Sequence, residues 1–144
     1  DVWDRLVNLE AQWVVGFTDG EGCFHVGIAR HPGMTAGVQA LPEFTIVQHE
    51  DDVQVLHAIK AHFGVGVVRK NHGDRMAYRV RKLEHLHDVI CPFFMKHKLR
   101  TRKNLAFLKF RRVVLMMKQG QHLDPHGLEA IRVIASEMNV RRSR

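Results

Sequence analysis

Trp13-Val14-Val15-Gly16-Phe17-Thr18-Asp19-Gly20-Glu21-Gly22 is the stretch on which the fold turns. Leu6, Leu9, Trp13 and Phe17 recur at helical spacing and predict a helix from about Val7 to Asp19. Val14 and Gly16 lie on its other face, so the helix is apolar nearly all round. Such a helix is buried on two sides, by its own core and by a partner. Gly16 has no Cβ and lets a second backbone come close. The helix then runs into two acids separated by a glycine. Asp19 is expected to hydrogen-bond local backbone at the turn, and Glu21 to project from the helix end. A hard divalent cation takes oxygen ligands of this kind, and one or two carboxylates are enough for magnesium.

Working outward, Cys23 to Arg30 alternates Phe24, Val26 and Ile28 against His25, Gly27 and Ala29, the pattern of a half-buried strand. His31 to Pro42 reads as a loop, and Glu43 to His49 as a second strand. Asp51 or Asp52 can cap the next helix, whose periodicity is Val53, Leu56, Ile59, Lys60 and Phe63, with Gly64 ending it. Val65 to Lys70 and Met76 to Lys82 form a hairpin around Asn71-His72-Gly73-Asp74. A short helix from Leu83 to about Ile90 is expected to stop before Pro92. Asn104 to Lys118 and a segment starting at Asp124-Pro125 give two more helices. The whole reads as one domain over 1–140 with a basic tail at 141–144, and no repeat or second acidic glycine motif appears.

The decapeptide resembles the signature of the LAGLIDADG homing endonucleases, aligned on Val14, Val15, Gly16, Phe17, Thr18, Asp19, Gly20, Glu21 and Gly22. The resemblance implies an α+β fold: an αββαββα core with a curved four-stranded antiparallel sheet, here followed by extra C-terminal helices. It also implies that motif helices pack at a twofold axis through Trp13, Gly16, Phe17 and Asp19. One motif per chain then means a homodimer. By the same resemblance Glu21 is the catalytic metal ligand, the Gly20 carbonyl assists, and Asp19 is mainly a structural cap. The cofactor implied is Mg2+, with Mn2+ expected to substitute and Ca2+ to bind without supporting cleavage. The activity implied is a double-strand break in a long, nearly palindromic DNA site, leaving short 3′ overhangs, in the service of intron mobility. A non-cutting DNA-binding regulator and an RNA-splicing maturase are the rival readings, the latter adding intron RNA as a partner.

Strand alternation selects the DNA-facing residues. If Tyr78 and Val80 point into the core, Arg79 and Arg81 point out. If Val68 points in, Arg69 and Asn71 point out. His25, Gly27, Ala29 and Thr45 join that outer set. Arginine suits guanine O6 and N7, and asparagine suits adenine. The arginines are read as unpaired, with no carboxylate opposite them. Lys96 to Asn104 is the densest run of positive charge and is suited to phosphate neutralisation, with Arg100 and Arg102 among the DNA-contacting residues. The family places a catalytic basic residue here. Lys98, Arg100 and Lys103 all fit the register, with Lys103 favoured and Lys98 next. Gln48, at the end of the second strand, occupies the place of a residue that orients the attacking water. Glu50-Asp51-Asp52 are read as helix caps.

Composition agrees with these readings. The chain has 144 residues, a net charge of +7 and a pI near 9.9, which suit a polyanionic partner. Its 45% hydrophobic content excludes a disordered chain. Cys23 and Cys91, far apart and without CxxC companions, indicate neither a zinc site nor a disulfide framework. His85 and His87, two residues apart, do not share a helix face and do not suggest zinc. No apolar run reaches membrane-spanning length and no signal peptide is seen. A cytoplasmic protein is expected, or an organellar one if an organellar intron encodes it, with no membrane partner and no secretion.

Overall fold

The computed structural model describes residues 8–34 and 37–138. The expected starting residue Val7 and the basic tail lie outside the described residues. Helix α1 spans Ala11–Glu21, β1 Gly22–Arg30 and β2 Val38–His49. A 3-10 turn, Glu50–Asp52, leads into α2, Val53–Phe63. The hairpin β3, Val67–Lys70, and β4, Arg75–Val80, follows. Next come α3, Leu83–His85, a π turn, Leu86–Ile90, and α4, Cys91–Lys96. Helix α5, Lys103–Lys118, a 3-10 turn, Gln121–Leu123, and α6, Pro125–Met138, complete the order.

The four strands form one antiparallel sheet in the order β1-β2-β4-β3. Phe24, Val26, Phe44, Ile46, Tyr78 and Val80 project from one face into the core. There Phe24 stacks on Phe44 with ring centroids 4.9 Å apart and meets Phe94, Phe107 and Phe110 at 5.2–5.6 Å across the helices. Tyr78 is fully buried, and its hydroxyl donates to the Val65 carbonyl at 2.8 Å, which satisfies the one polar atom it takes inside.

Four boundaries differ from the sequence reading, each for a local reason. Strand β2 begins at Val38, inside the expected loop, and carries Pro42 within it. β4 pairs with β2 only from Phe44 to His49, so Pro42 sits where β2 has β1 alone beside it. A missing N–H is tolerated there. Pro92 does not stop a helix. The π turn at Leu86–Ile90 immediately precedes the α-helical segment in which Pro92 occupies the first turn. An i→i+5 turn widens the backbone where a proline ring would otherwise strike the preceding turn. The cap before α2 is neither Asp51 nor Asp52: Nδ1 of His49 accepts from the Asp51 N–H at 3.1 Å, and Asp52 makes no side-chain cap. The three acids instead fill the 3-10 turn, where the helix dipole favours them. Finally, α1 begins at Ala11 and continues through Glu21, so the second acid closes the helix and β1 starts on the next residue.

Gly66 precedes β3 at φ 94°, and a Cβ there would lie 2.7 Å from Tyr78 Cε1 and 3.0 Å from the Arg79 carbonyl. Gly66→Ala is therefore expected to destabilise the fold by about 1–3 kcal/mol, combining left-handed strain with overpacking. A urea midpoint indistinguishable from that of the parent chain would contradict this account of the turn.

Candidate active site and nucleic-acid interface

The site begins where α1 becomes β1 with no loop between. Thr18 is fully buried, and a Cβ on Gly22 would stand 2.6 Å from its Cγ2, so glycine is what allows the strand to leave the helix at this angle. Glu21 is exposed at the end of the helix and makes no hydrogen bond or ion pair among the described residues. Gly20 precedes it, in the last turn, where helix carbonyls lack partners of their own.

Asp19 does not bond to its local turn. Its carboxylate reaches across 81 residues of sequence to the segment before α5. There it accepts from the Arg100 N–H at 2.9 Å, from the Thr101 N–H at 3.1 Å and from the Thr101 hydroxyl at 2.6 Å. The same hydroxyl accepts from the Lys103 N–H at 3.2 Å, which starts α5. Burial pushes the Asp19 carboxyl up, but the Thr101 hydroxyl, the Arg100 and Thr101 N–H groups and the Lys103 charge together hold it below its ordinary value. The loop is thereby pinned to α1, and the Lys103 ammonium donates to the carbonyl of Gly22, the residue after Glu21.

The other expected site residues are placed as follows. Gln48 is the penultimate residue of β2, two positions beyond Ile46, which pairs with Gly22, so it lies near the same end of α1. Its side-chain amide donates to the Val47 carbonyl at 2.8 Å. Lys98 is exposed and has no partner among the described residues, whereas Arg100 extends along α1 and donates to Gln12 at 3.3 Å. Arg102 is exposed at the start of α5.

The outer face of the sheet carries His25 on β1, Thr45 on β2, Arg79 on β4 and Arg69 on β3, with Thr45 directly paired to Arg79 and Arg79 to Val67. Asn71 follows β3, and its side-chain oxygen accepts from Arg79 at 3.3 Å. Thr45 is nearly buried and its hydroxyl donates to Glu43. Arg79 and Arg81 are not without an acid opposite. Glu43 lies 3.4 Å from the Arg79 Nε and 2.6 Å from the Arg81 Nε. The alternation that puts Phe44 and Ile46 inside also puts Glu43 and Thr45 outside, so cross-strand register was the signal for this acid. Thr101 was the other missed residue; a threonine two places before a helix start is a recognisable capping position.

One face of α1 finds no cover among the described residues. Trp13 is 41% exposed, stacks on Phe17 with centroids 4.9 Å apart, and shares its face with Gly16 and Gly20. A Cβ at either glycine would meet nothing within 4 Å. The helix is accordingly buried on one side by Val14, Val15 and Thr18 and bare on the other.

With this geometry, the family model described as LAGLIDADG endonuclease matches residues 14–114. The chain belongs to the LAGLIDADG endonuclease family. The crystal structure of the homing endonuclease I-TnaI is similar over 94% of this chain and 91% of that one, at 53% identity and a TM-score of 0.89. I-SmaMI bound to uncleaved DNA target in the presence of calcium ions is similar over 92% of this chain and 45% of its own, at 28% identity and a TM-score of 0.88. A probable intron-encoded endonuclease 2 of Neurospora crassa is 30% identical over 132 residues, 90% of this chain and 28% of the relative. A probable intron-encoded DNA endonuclease 1 of Mycosarcoma maydis is 31% identical over 121 residues, 84% of this chain and 44% of the relative. The chain thus spans less than half the length of these curated relatives. No helix among the described residues is long and apolar enough to cross a membrane.

The LAGLIDADG family implies a divalent metal. Among the described residues no group of three or more His, Cys, Asp or Glu side chains is placed to hold one. The donors at the end of α1 are the Glu21 carboxylate and the Gly20 carbonyl. That set fits a hard cation of the magnesium kind, which keeps several waters and takes one or two carboxylates together with substrate phosphate.

Asp19 ties the loop to the helix, so Asp19→Ala is expected to cost about 1–2 kcal/mol, as loss of a capping carboxylate does. Because its folded pKa is depressed, the contribution is fully present above the unfolded value near 3.9 and fades as pH falls through the folded value. Thermal melts of both proteins from pH 7 down to pH 3 check this. The gap between them should narrow only at the acid end, and a gap that widens there would refute it.

Proposed function

We propose that the chain is a homodimeric, metal-dependent homing endonuclease that makes a double-strand break in a long, nearly palindromic DNA site and serves intron mobility. The observation that carries the reading is the exposed Trp13–Gly16–Gly20 face of α1, which ends in an exposed Glu21 with the Lys103 ammonium on the carbonyl of the next residue. A second copy covering that face would bring two Glu21 carboxylates together at a twofold axis, and twofold symmetry in the protein is matched by near-palindromy in the DNA.

Each element then has a task. The outer sheet face, with Arg69, Arg79 and Arg81, reads the major groove. The exposed lysines and arginines of 96–103 neutralise phosphates. Glu21, with the Gly20 carbonyl, would hold Mg2+, which when bound lowers the pKa of water and stabilises the leaving oxygen. Gln48 orients the attacking water from the end of β2. The Lys103 ammonium, fixed against the Gly22 carbonyl, places a positive charge where the scissile phosphate gathers negative charge. That I-SmaMI binds DNA on the same fold supports the substrate class, and the intron-encoded relatives support the biological setting. The protein would act wherever its intron resides, in the cytoplasm or an organelle.

Glu21→Gln should abolish cleavage of any site the parent cuts while leaving DNA binding intact or slightly tighter, because a carboxylate near phosphates repels them. Cleavage and gel-shift assays on the same duplex, with Mg2+ for turnover and Ca2+ for binding, make the comparison. Normal cutting by the variant would remove this mechanism. Gly16→Leu should convert the parent dimer to a monomer at micromolar concentration in sedimentation experiments, with the fold retained, since a Cβ at this position meets nothing within 4 Å among the described residues. A monomeric parent would overturn the homodimer.

A further inference from the structure

The sheet face offered to DNA carries an acid in its middle. Glu43 stands on β2, one of the two inner strands, opposite His25 of β1, and Arg81 follows directly after the end of β4 on its other side. Its Oε2 accepts from the Arg81 Nε at 2.6 Å, while its Oε1 accepts from the Thr45 hydroxyl at 2.7 Å and lies 3.4 Å from the Arg79 Nε. Burial pushes the Glu43 carboxyl up, yet the hydrogen bonds from Thr45 and Arg81 and the two guanidinium charges hold it below its ordinary value. A carboxylate here is repelled by every phosphate, so it adds nothing to general DNA affinity.

Its geometry offers something else. Arg81 bonds the acid through Nε, whereas the buried Arg79 Nε lies at ion-pair distance from it and makes no hydrogen bond. The terminal nitrogens of Arg81 have no partner among the described residues, and one of those of Arg79 donates to Asn71. A guanidinium is a rigid plane, so anchoring it at one edge fixes where the other edge points. The terminal nitrogens are the part that can contact guanine O6 and N7 together.

We propose that Glu43 is a positioning residue for base recognition: it holds Arg81 by a hydrogen bond to Nε and Arg79 by an ion pair, aims them at base edges, and withholds them from indiscriminate phosphate contact. The proposal rests on the reading that this sheet face binds DNA. Without the acid, both side chains regain rotamer freedom and two uncompensated charges, which favour phosphates of any sequence.

The test is a binding selection from a randomised DNA duplex library in Ca2+, run with the parent chain, Glu43→Gln and Glu43→Ala. Glu43→Gln keeps the shape and one acceptor, so it guards against a variant that fails to fold. The parent should enrich a motif, and both variants should lose base preference at a confined subset of its positions, keeping it elsewhere. Preference for the parent motif over a scrambled duplex should fall about tenfold, and binding of the scrambled duplex should tighten and become more salt-dependent. A merely structural ion pair would weaken binding to both duplexes alike and leave the motif unchanged, and that result would overturn the proposal. A parent chain that enriches no motif would overturn the DNA-binding reading itself.

Discussion

The hold of Asp19 on the Arg100–Thr101 segment is the interaction on which the site depends. One carboxylate satisfies two backbone N–H groups and a hydroxyl, and the hydroxyl in turn receives the first amide of α5. Without it, the segment would be tied here by the Arg100–Gln12 and Lys103–Gly22 hydrogen bonds, both made by long side chains. With it, the helix that lies behind the sheet and the helix that carries the acids share one hydrogen-bonded junction. Lys103 then emerges from a helix start whose position is already fixed, and its long side chain has only to cover the distance to Gly22. The cost of ordering a lysine is smaller when its base does not move.

This junction also separates two roles that the motif's acids might have been thought to share. Asp19 turns inward and is consumed by structure. Glu21, two residues on, turns outward and makes no hydrogen bond or ion pair among the described residues. In a helix, residues two apart lie on different faces, so the Asp-Gly-Glu spacing alone assigns one acid to the protein and the other to whatever lies outside it. The basic face of the sheet shows a similar division. Arg69 makes no hydrogen bond or ion pair among the described residues, while Arg79 and Arg81 are engaged with Glu43.

The sequence made the elements and the strand phase legible because apolar alternation and helical spacing are local signals. It placed Tyr78 and Val80 inside and Arg79 and Arg81 outside. The family resemblance offered Lys103, Lys98 or Arg100 as the catalytic basic residue, and the structure sets Lys103 at the Gly22 carbonyl. What the sequence did not show depended on groups distant in the chain or on how a local rule yields to packing. The destination of the Asp19 carboxylate lies 81 and 82 residues away. Glu43 was in view as a strand residue, but its partners on β4 become visible only once the register is set. Pro42 and Pro92 were read as breaks by a rule that holds when the missing N–H has a job. An unpartnered strand edge and a π turn each removed that job.

The direct passage from Glu21 to Gly22 has a consequence for how such a chain can vary. A strand alternates its side chains between two faces, so inserting or deleting a single residue at that junction would turn β1 over. Phe24 and Val26 would meet solvent, and His25 would be driven into the aromatic core. Length can drift in the turn at Asn71–Asp74, where a residue more or less is absorbed by backbone already outside the sheet. At the helix-to-strand joint it cannot. The reading frame of the sheet is set at that one peptide bond, and a change in register there would be felt by the protein as a change of fold.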